Sequence, residues 1–440
     1  MSLRHAGRAF ARPVLVSLLL SSLALPLRAS AADPPLTLAE AQRRAVASSR
    51  QVAAHDHAVA AAREMVVAAG QRPDPVLTVG IDNLPVEGAD RFSATRDGMT
   101  MRRIGVMQEI TRADKLRLRA ERFEKEVEKG LAERDAAIAV IERDTAQAWF
   151  DRYYAERMAA LVAAQSVEAK LEIEAAQAAY RAGRGSQADV LAARGALVAL
   201  DDLAADIRRR IGNARLMLAR WIGEAADLPL ADRPSLDTLA LDRASLEAQL
   251  AHHPQLAVAA KQRELAQSEA RLAEANRKAD WSVELMFNQR GPAYDNMVSV
   301  AVSIPLPWDR RNRQDRELAS KLALAEQARA RHEDAARAHG AEVRALINEW
   351  DSSRERAARL QRDLVPLAGE RTQAALAAYR GNRGTLAEVL MARRNELEAR
   401  MQLLQREMET ARLWTQLNFL APRSGASGAA PRGTANGAVK

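Results

Sequence analysis

The sequence predicts a mainly α protein with a small β part, organised as two homologous halves of long coiled helical hairpins plus four β-strands. Three observations carry that prediction. A segment occurs twice without a gap, as Ala179–Leu191 and Ala378–Leu390, and its tyrosines, Tyr180 and Tyr379, stand 199 residues apart. Runs 112–181 and 311–380 hold almost no glycine and one proline, Pro366, so each predicts a helix of roughly 105 Å. Four short stretches change to the two-residue period of strands.

Composition agrees. Apolar residues make up 48% of the chain and aromatics only 4%, so alanine and leucine carry the apolar content and suit closely packed long helices. The net charge of +8 includes Arg4, Arg8, Arg12 and Arg28; the rest is spread through mixed charge on helix faces. No basic run is interleaved with aromatics, so nucleic acid is not an expected partner. The absence of cysteine excludes disulfides, thiolate metal sites, a cysteine nucleophile and a lipid-anchored N-terminal cysteine.

Residues 1–32 read as a signal peptide: a basic n-region, an apolar run from Val14 to Leu27 broken by Pro26, and the small-residue site Ala29-Ser30-Ala31. The first repeat is expected over 33–223. Its opening helix runs from Leu36 to about Ala69, with Thr37 and Glu40 at capping-box spacing, and ends at Gly70 and Pro73-Asp74-Pro75. Strands are expected over about 76–84 and 99–110, the second with poorer alternation at Arg102-Arg103, where a bulge would fit. A long helix leads to a tip at 181–186, and a returning helix follows with its seam at Leu200, Leu203, Ile207, Ile211, Ala214 and Leu218.

Residues 224–243, with Pro229 and Pro234, read as the linker. The second repeat, 244–420, opens on Ser245-Leu246-Glu247-Ala248-Gln249 and continues helical to about Lys278. Strands follow at about 281–289 and 297–306, then a long helix with a kink or junction expected at Pro366, a tip at 380–385 and a returning helix. Residues 421–440 carry the composition of a disordered tail.

No other stretch is apolar for the length of a membrane-spanning helix, so any crossing must be made by strands. The third and fourth strands place an apolar set on one face and Ser, Ala, Glu and Asn on the other, at lengths suited to a tilted spanning strand. Four strands are too few to close a barrel, so an exported chain with lipid-competent strands must pool them with other copies. Trp281 and Trp308 at strand ends fit an interfacial aromatic girdle.

The plan as a whole resembles the TolC-like outer membrane factor family. The likeness rests on Arg72-Pro73-Asp74-Pro75, Asp280-Trp281-Ser282-Val283, Val302-Ser303-Ile304-Pro305-Leu306-Pro307 with the following Asp309-Arg310-Arg311-Asn312-Arg313, and both tips, over residues 36–420. It implies a homotrimer whose strands form one 12-stranded β-barrel in the outer membrane of a Gram-negative bacterium, in contact with lipid. That barrel would be continuous with an α-helical barrel reaching into the periplasm. It implies as partners a periplasmic adaptor (membrane fusion) protein and an inner-membrane efflux pump. The tips, with Gly183, Gly185, Ser186, Gly381, Gly384 and Thr385, would be the adaptor-docking end. Glu388 and Asp189 match an acidic gate position of some members, while Met391 stands where a second acid is sometimes found.

No Gly-x-Ser-x-Gly, phosphate-binding glycine loop or His-Glu-x-x-His is present, so neither an enzyme nor a cofactor is expected. His55 and His57 point in different directions on a helix; His252-His253 beside Pro254 could share an ion but read as a surface pair, and His332 and His339 lie on the second long helix. Met99, Met101 and Met107 share one side of the second strand and could offer thioethers to copper or silver, but lipid-facing or lumen-filling methionine is the favoured reading. The stretches Asp82–Val86 and Met99-Thr100-Met101 look most like the heavy-metal (CzcC/CusC-like) branch, which makes heavy-metal cations the expected cargo. Drug or organic-solute efflux and a type I secretion outlet share the same physical plan. A periplasmic adaptor would carry one hairpin and more β segments.

Overall fold

The structure, a computed structural model, describes residues 34–239 and 253–419. The signal peptide, the tail at 421–440, the end of the linker and the expected helix start at Ser245 lie outside the described residues, as does His252.

Thr37 caps α1 (Leu38–Ser48), its hydroxyl accepting from the Glu40 amide at 3.2 Å. The single helix expected to Ala69 is in fact two. Ser49 takes an extended conformation and its hydroxyl accepts from Val52 N, which starts α2 (Arg50–Ala69). Ser48 meanwhile bonds the Arg44 and Trp221 carbonyls. Adjacent serines that compete for backbone groups supply the break that periodicity alone does not show.

Strands β1 (Val76–Asp82), β2 (Met101–Ile110), β3 (Trp281–Gln289) and β4 (Met297–Ser303) form one antiparallel sheet in the order β1-β2-β3-β4. The halves therefore meet inside the sheet, at β2–β3. β1 stops two residues short of its expected end because Asn83 turns with φ +55°. β2 starts at Met101, since the Asp97 carboxylate holds the Met99 amide and the Thr100 hydroxyl in a turn. β4 ends at Ser303, before Pro305 and Pro307. No bulge interrupts β2: its register with β1 and β3 runs straight through Arg102 and Arg103.

Helix α3 (Ala113–Arg181) is unbroken for 69 residues, about 100 Å, and α4 (Gln187–Ile222) returns along it. In the second half, α5 (Pro254–Asn276) has Pro254 in its first turn and His253 as N-cap. The long run there divides into α6 (Gln314–Arg359), a π-helical turn (Leu360–Leu364) and α7 (Val365–Arg380), before α8 (Leu386–Asn418) returns. The junction lies just ahead of Pro366, which has no N–H for the Arg362 carbonyl.

The few aromatic residues concentrate midway along the bundle. Trp149, Phe150 and Tyr154 of α3 are fully buried with Trp350, Trp414 and Phe419, and Phe150 meets Trp414 edge to face at 6.0 Å. Two of the three indoles find acceptors: Trp149 donates to Leu36 O at 3.1 Å and Trp414 to Thr238 O at 2.9 Å, whereas Trp350 Nε1 has none among the described residues. The linker is part of this core. Leu230 and Leu36 form a parallel bridge, and Ala226, Leu228, Leu236 and Leu239 pack inward. It is a strap, not a loose tether.

Candidate functional site

Three places in this frame could carry function: the two faces of the sheet, its base, and the hairpin tips.

Strand pairing sorts the side chains onto two faces. Leu77, Val79 and Ile81 stand beside Val106, Ile104 and Arg102, which continue to Leu285, Phe287 and Gln289 and then to Val300 and Val298. The apolar members of this set are all exposed, from 43% at Phe287 to 71% at Val79. A contiguous exposed face of Val, Leu, Ile and Phe needs a non-aqueous neighbour. Arg102 and Gln289 end it at the hairpin-loop edge, which explains the poor alternation at Arg102. Trp281 and Trp308, 42% and 92% exposed, stand at the helical edge of the same sheet.

The opposite face carries Thr78, Asp82, Arg103, Glu109, Ser282, Glu284, Asn288, Ser299 and Ser303. It is the more covered face, as expected of the concave side of a curled sheet. Arg103 pairs with Asp82 at 3.2 Å and Asn288 donates to the Ser299 hydroxyl at 3.1 Å. Met101 and Met107 lie on this face, joined by Met286 and Met297; Met99 falls in the preceding turn.

Under the sheet, Asp280 ties the two halves. One carboxylate oxygen accepts from the Arg112 amide at 3.0 Å and the other from the buried Lys115 ammonium at 2.7 Å, which also reaches the Lys278 carbonyl. Lower down, Lys125 and Lys261 interleave with Glu128 and Glu264. These hydrogen-bonded pairs hold the Glu128 carboxyl below its ordinary range and the lysines above theirs.

At the tips the duplicated segment folds twice into the same helix ending. Gly183 N bonds Tyr180 O and Arg184 N bonds Ala179 O; Asn382 N bonds Tyr379 O and Arg383 N bonds Ala378 O. The left-handed residue is Gly183 in one copy, with φ +68°, and Asn382 in the other, with φ +59°. Gly381 is not the left-handed position of its tip. It occupies the place of Ala182, with φ −80°. Gly185 and Gly384 keep the turn tight: an added Cβ would lie 3.2 Å from Ala179 Cβ and 3.0 Å from Ala378 Cβ.

Ser186 and Thr385 begin the returning helices, each in a capping box with the acid three residues on. The Asp189 carboxylate accepts from Ser186 N at 2.8 Å, and that of Glu388 from Thr385 N at 2.8 Å. The Ser186 amide and hydroxyl hold Asp189 below the usual carboxylate range. The tips pack on each other through Val190, Ala193, Leu386 and Val389.

About two turns above the tips lies a group that no motif announced. Arg393 of α8 bridges Glu168 at 2.7 Å and Glu172 at 2.9 Å on α3, beside a cavity of about 750 Å³ between α3, α4 and α8 that Met391 and Leu397 help line. Burial raises the Glu172 carboxyl against the pull of Arg393. A charged pair at sequence separation 221 has no local signature.

The histidines are arranged differently from expectation. His55, His57 and His332 lie apart on α2 and α6, but His253 and His339 meet with ring centroids 3.9 Å apart and planes tilted by 42°, both buried. Burial, and then His339, push His253 down to about 4, and its Nδ1 accepts from Gln255 N. Among the described residues no group of three His, Cys, Asp or Glu could hold a metal ion.

An exposed apolar sheet face backed by a polar one stands on two helical runs of about 100 Å, each with a shorter returning helix. Solved outer-membrane channels share this fold. The chain superposes on the outer-membrane channel OprN with TM-score 0.73 at 18% identity, covering 88% of this chain and 90% of that one. For the outer membrane protein VceC from Vibrio cholerae the values are 0.72, 18%, 87% and 95%. For CusC, described for transmembrane channel formation, they are 0.71, 15%, 87% and 92%. No protein-family model and no curated protein matches the chain by sequence.

Proposed function

We propose that this protein is the outer-membrane channel of a tripartite efflux system. On this reading three copies pool their strands into a 12-stranded barrel and their helices into a periplasmic tunnel, and the cargo is heavy-metal cations. The observation that carries the reading is the sheet. It is apolar on one face, polar on the other, and its outer strands β1 and β4 have no partner among the described residues. An unpaired edge and an exposed apolar face are both satisfied when β1 of one copy meets β4 of the next inside a bilayer.

The tips are then the end that meets a periplasmic adaptor bound to an inner-membrane pump, through Gly183, Gly185, Ser186, Gly381, Gly384 and Thr385. Glu388 and Asp189 are the gate acids of this reading. Their carboxylates close capping boxes in the single chain, so a gating role requires the helix start and the constriction to move together. The heavy-metal assignment is supported by the carboxylates and thioethers on the polar face. It describes a transporter of cations, with neither an active site nor a cofactor.

The test is direct. Detergent-solubilised protein should sediment as a trimer and conduct ions in planar bilayers. A monomer that stays soluble without detergent would overturn the channel. Replacing Glu388 with Ala should change conductance and ion preference; unchanged values would remove it as the gate.

A further inference from the structure

The strand methionines are segregated in a way that hydrophobicity does not explain. Every Leu, Ile and Phe of the four strands lies on the exposed apolar face, while Met101, Met107, Met286 and Met297 all lie on the polar one. If methionine served only as a hydrophobe here, it would be expected among the leucines. Met286 does cover Gly105, whose added Cβ would lie 2.6 Å from Met286 Cγ, but a leucine could fill that gap. Met107 and Met297 have no glycine opposite them; their cross-strand neighbours are Val76 and Glu284, and Asn288.

Three of the four form a diagonal. Met107 stands opposite Glu284, Met286 opposite Gly105 and Ser299, and Met297 opposite Asn288. Each step from β2 to β3 to β4 is therefore the offset of two residues that separates neighbours by roughly 7–8 Å, within reach of long side chains. Met107 with Met286, and Met286 with Met297, can each bring two sulfurs to one ion, Met286 being common to both. Thioethers are soft, uncharged ligands that select monovalent copper and silver over zinc or magnesium. Glu284, beside Met107, adds attraction for a cation without competing as a soft donor. With no cysteine in the chain, methionine is its only soft sulfur ligand.

We propose that Met107, Met286 and Met297 form a thioether row that binds Cu(I) or Ag(I) on the channel wall, in two overlapping two-sulfur sites. The inference rests on the polar face lining the channel, and it narrows the cargo from heavy-metal cations to soft monovalent ones. Two-sulfur sites hold an ion weakly enough to release it, as conduction requires.

The test uses the purified full-length protein in chloride-free detergent buffer, titrated calorimetrically with silver nitrate. The triple variant M107L/M286L/M297L, which keeps side-chain volume, should lose silver affinity by about tenfold or more. M286L alone should cost more than M107L or M297L, because it breaks both pairs. The double variant M107L/M297L leaves Gly105 covered, so its loss of binding cannot come from disturbed packing there. Zinc titrations should not distinguish any of these proteins from the wild type. Silver binding that is absent in the wild type, or unchanged in the triple variant, overturns the row. Conductance measured separately in potassium chloride keeps the two readings apart. A protein that conducts but binds silver without these methionines sinks only the row, whereas one that passes no current sinks the channel.

Discussion

The two halves repeat one plan and differ in how their long helix reaches the tip. In the first half, α3 runs 69 residues without a break. In the second, the corresponding run is 46 residues of α6, a 5-residue π turn and 16 residues of α7. Nothing in the π turn is buried, and a polar cavity of about 560 Å³ opens there against α8, lined by Arg356, Arg359, Asp363 and Arg406 among others. α3, by contrast, is buried at intervals from Lys115 to Ala176. The first long helix is thus continuous, and the second carries a π-helical interruption about 24 Å from its tip. A duplicated element can keep the same tip fold while the long helix of one copy is interrupted.

The largest expected effect comes from the contact that ties the returning helix α8 to α3. Arg393→Leu leaves Glu168 and Glu172 facing each other without a cation, and Glu172 is 10% exposed. Losing one partner of a pair this covered is expected to cost about 3 kcal/mol, read as a lowered melting temperature in detergent. The pH dependence has a definite sign. Glu172 has a raised folded-state carboxyl, so the folded state binds the extra proton and this group's contribution to stability falls as pH rises through that range. Removing the opposing cation should steepen that fall. A variant with wild-type melting and an unchanged pH profile would show that the halves are held elsewhere.

Next come the left-handed residues of the two tips. Gly183→Val places a β-branched residue at φ +68°, with a cost of about 1–2 kcal/mol. Asn382→Gly, at φ +59°, should be close to neutral. Equal effects from both would break the equivalence of the two turns. The same geometry makes Gly381→Ala mild, since φ there is −80°.

Pro366→Ala restores the amide that the Arg362 carbonyl lacks. It should let the π turn relax toward α-helix, and amide exchange over 360–364 should slow by about tenfold. Unchanged exchange would mean that packing on α8, and not the proline, sets the π turn.

How far these features were legible in the sequence follows from their range. The strands, the long helices and both tips are local patterns, and they appear close to where periodicity and glycines put them. The break at Ser49 was hidden because serine is compatible with helix until its hydroxyl finds a cap. The left-handed role of Asn382 was masked by the neighbouring glycine, and Arg102 suggested a bulge where it only marks the end of an apolar face. The Arg393 bridge and the His253–His339 ring contact join residues 221 and 86 apart, and no periodicity encodes such meetings. Met286 and Met297 could be placed on the polar face by alternation alone. Their diagonal with Met107 needed the β2–β3 register, which joins the halves and has no turn to set it.

The smallest effect discriminates most finely between the two tips. Ser186→Ala and Thr385→Ala each remove the hydroxyl that accepts from the third helical amide, at 3.2 and 3.3 Å, and each should cost about 1 kcal/mol. The boxes are not chemically equal, however. The Asp189 carboxylate accepts from both the amide and the hydroxyl of Ser186, each at 2.8 Å, whereas that of Glu388 accepts, among the described residues, from the Thr385 amide and not its hydroxyl. Those bonds depress the Asp189 carboxyl, so its contribution is complete above the ordinary aspartate range and disappears as pH falls through the lowered value. Acidification should therefore fray the start of α4 in the wild type, and Ser186→Ala should move that fraying to higher pH by removing one of the two donors. Site-resolved amide exchange at 187–190 over an acid series would read the change. If exchange there ignores pH in both proteins, the carboxylate is not what fastens the first tip, and the docking surface proposed there would be set by the glycine turn alone.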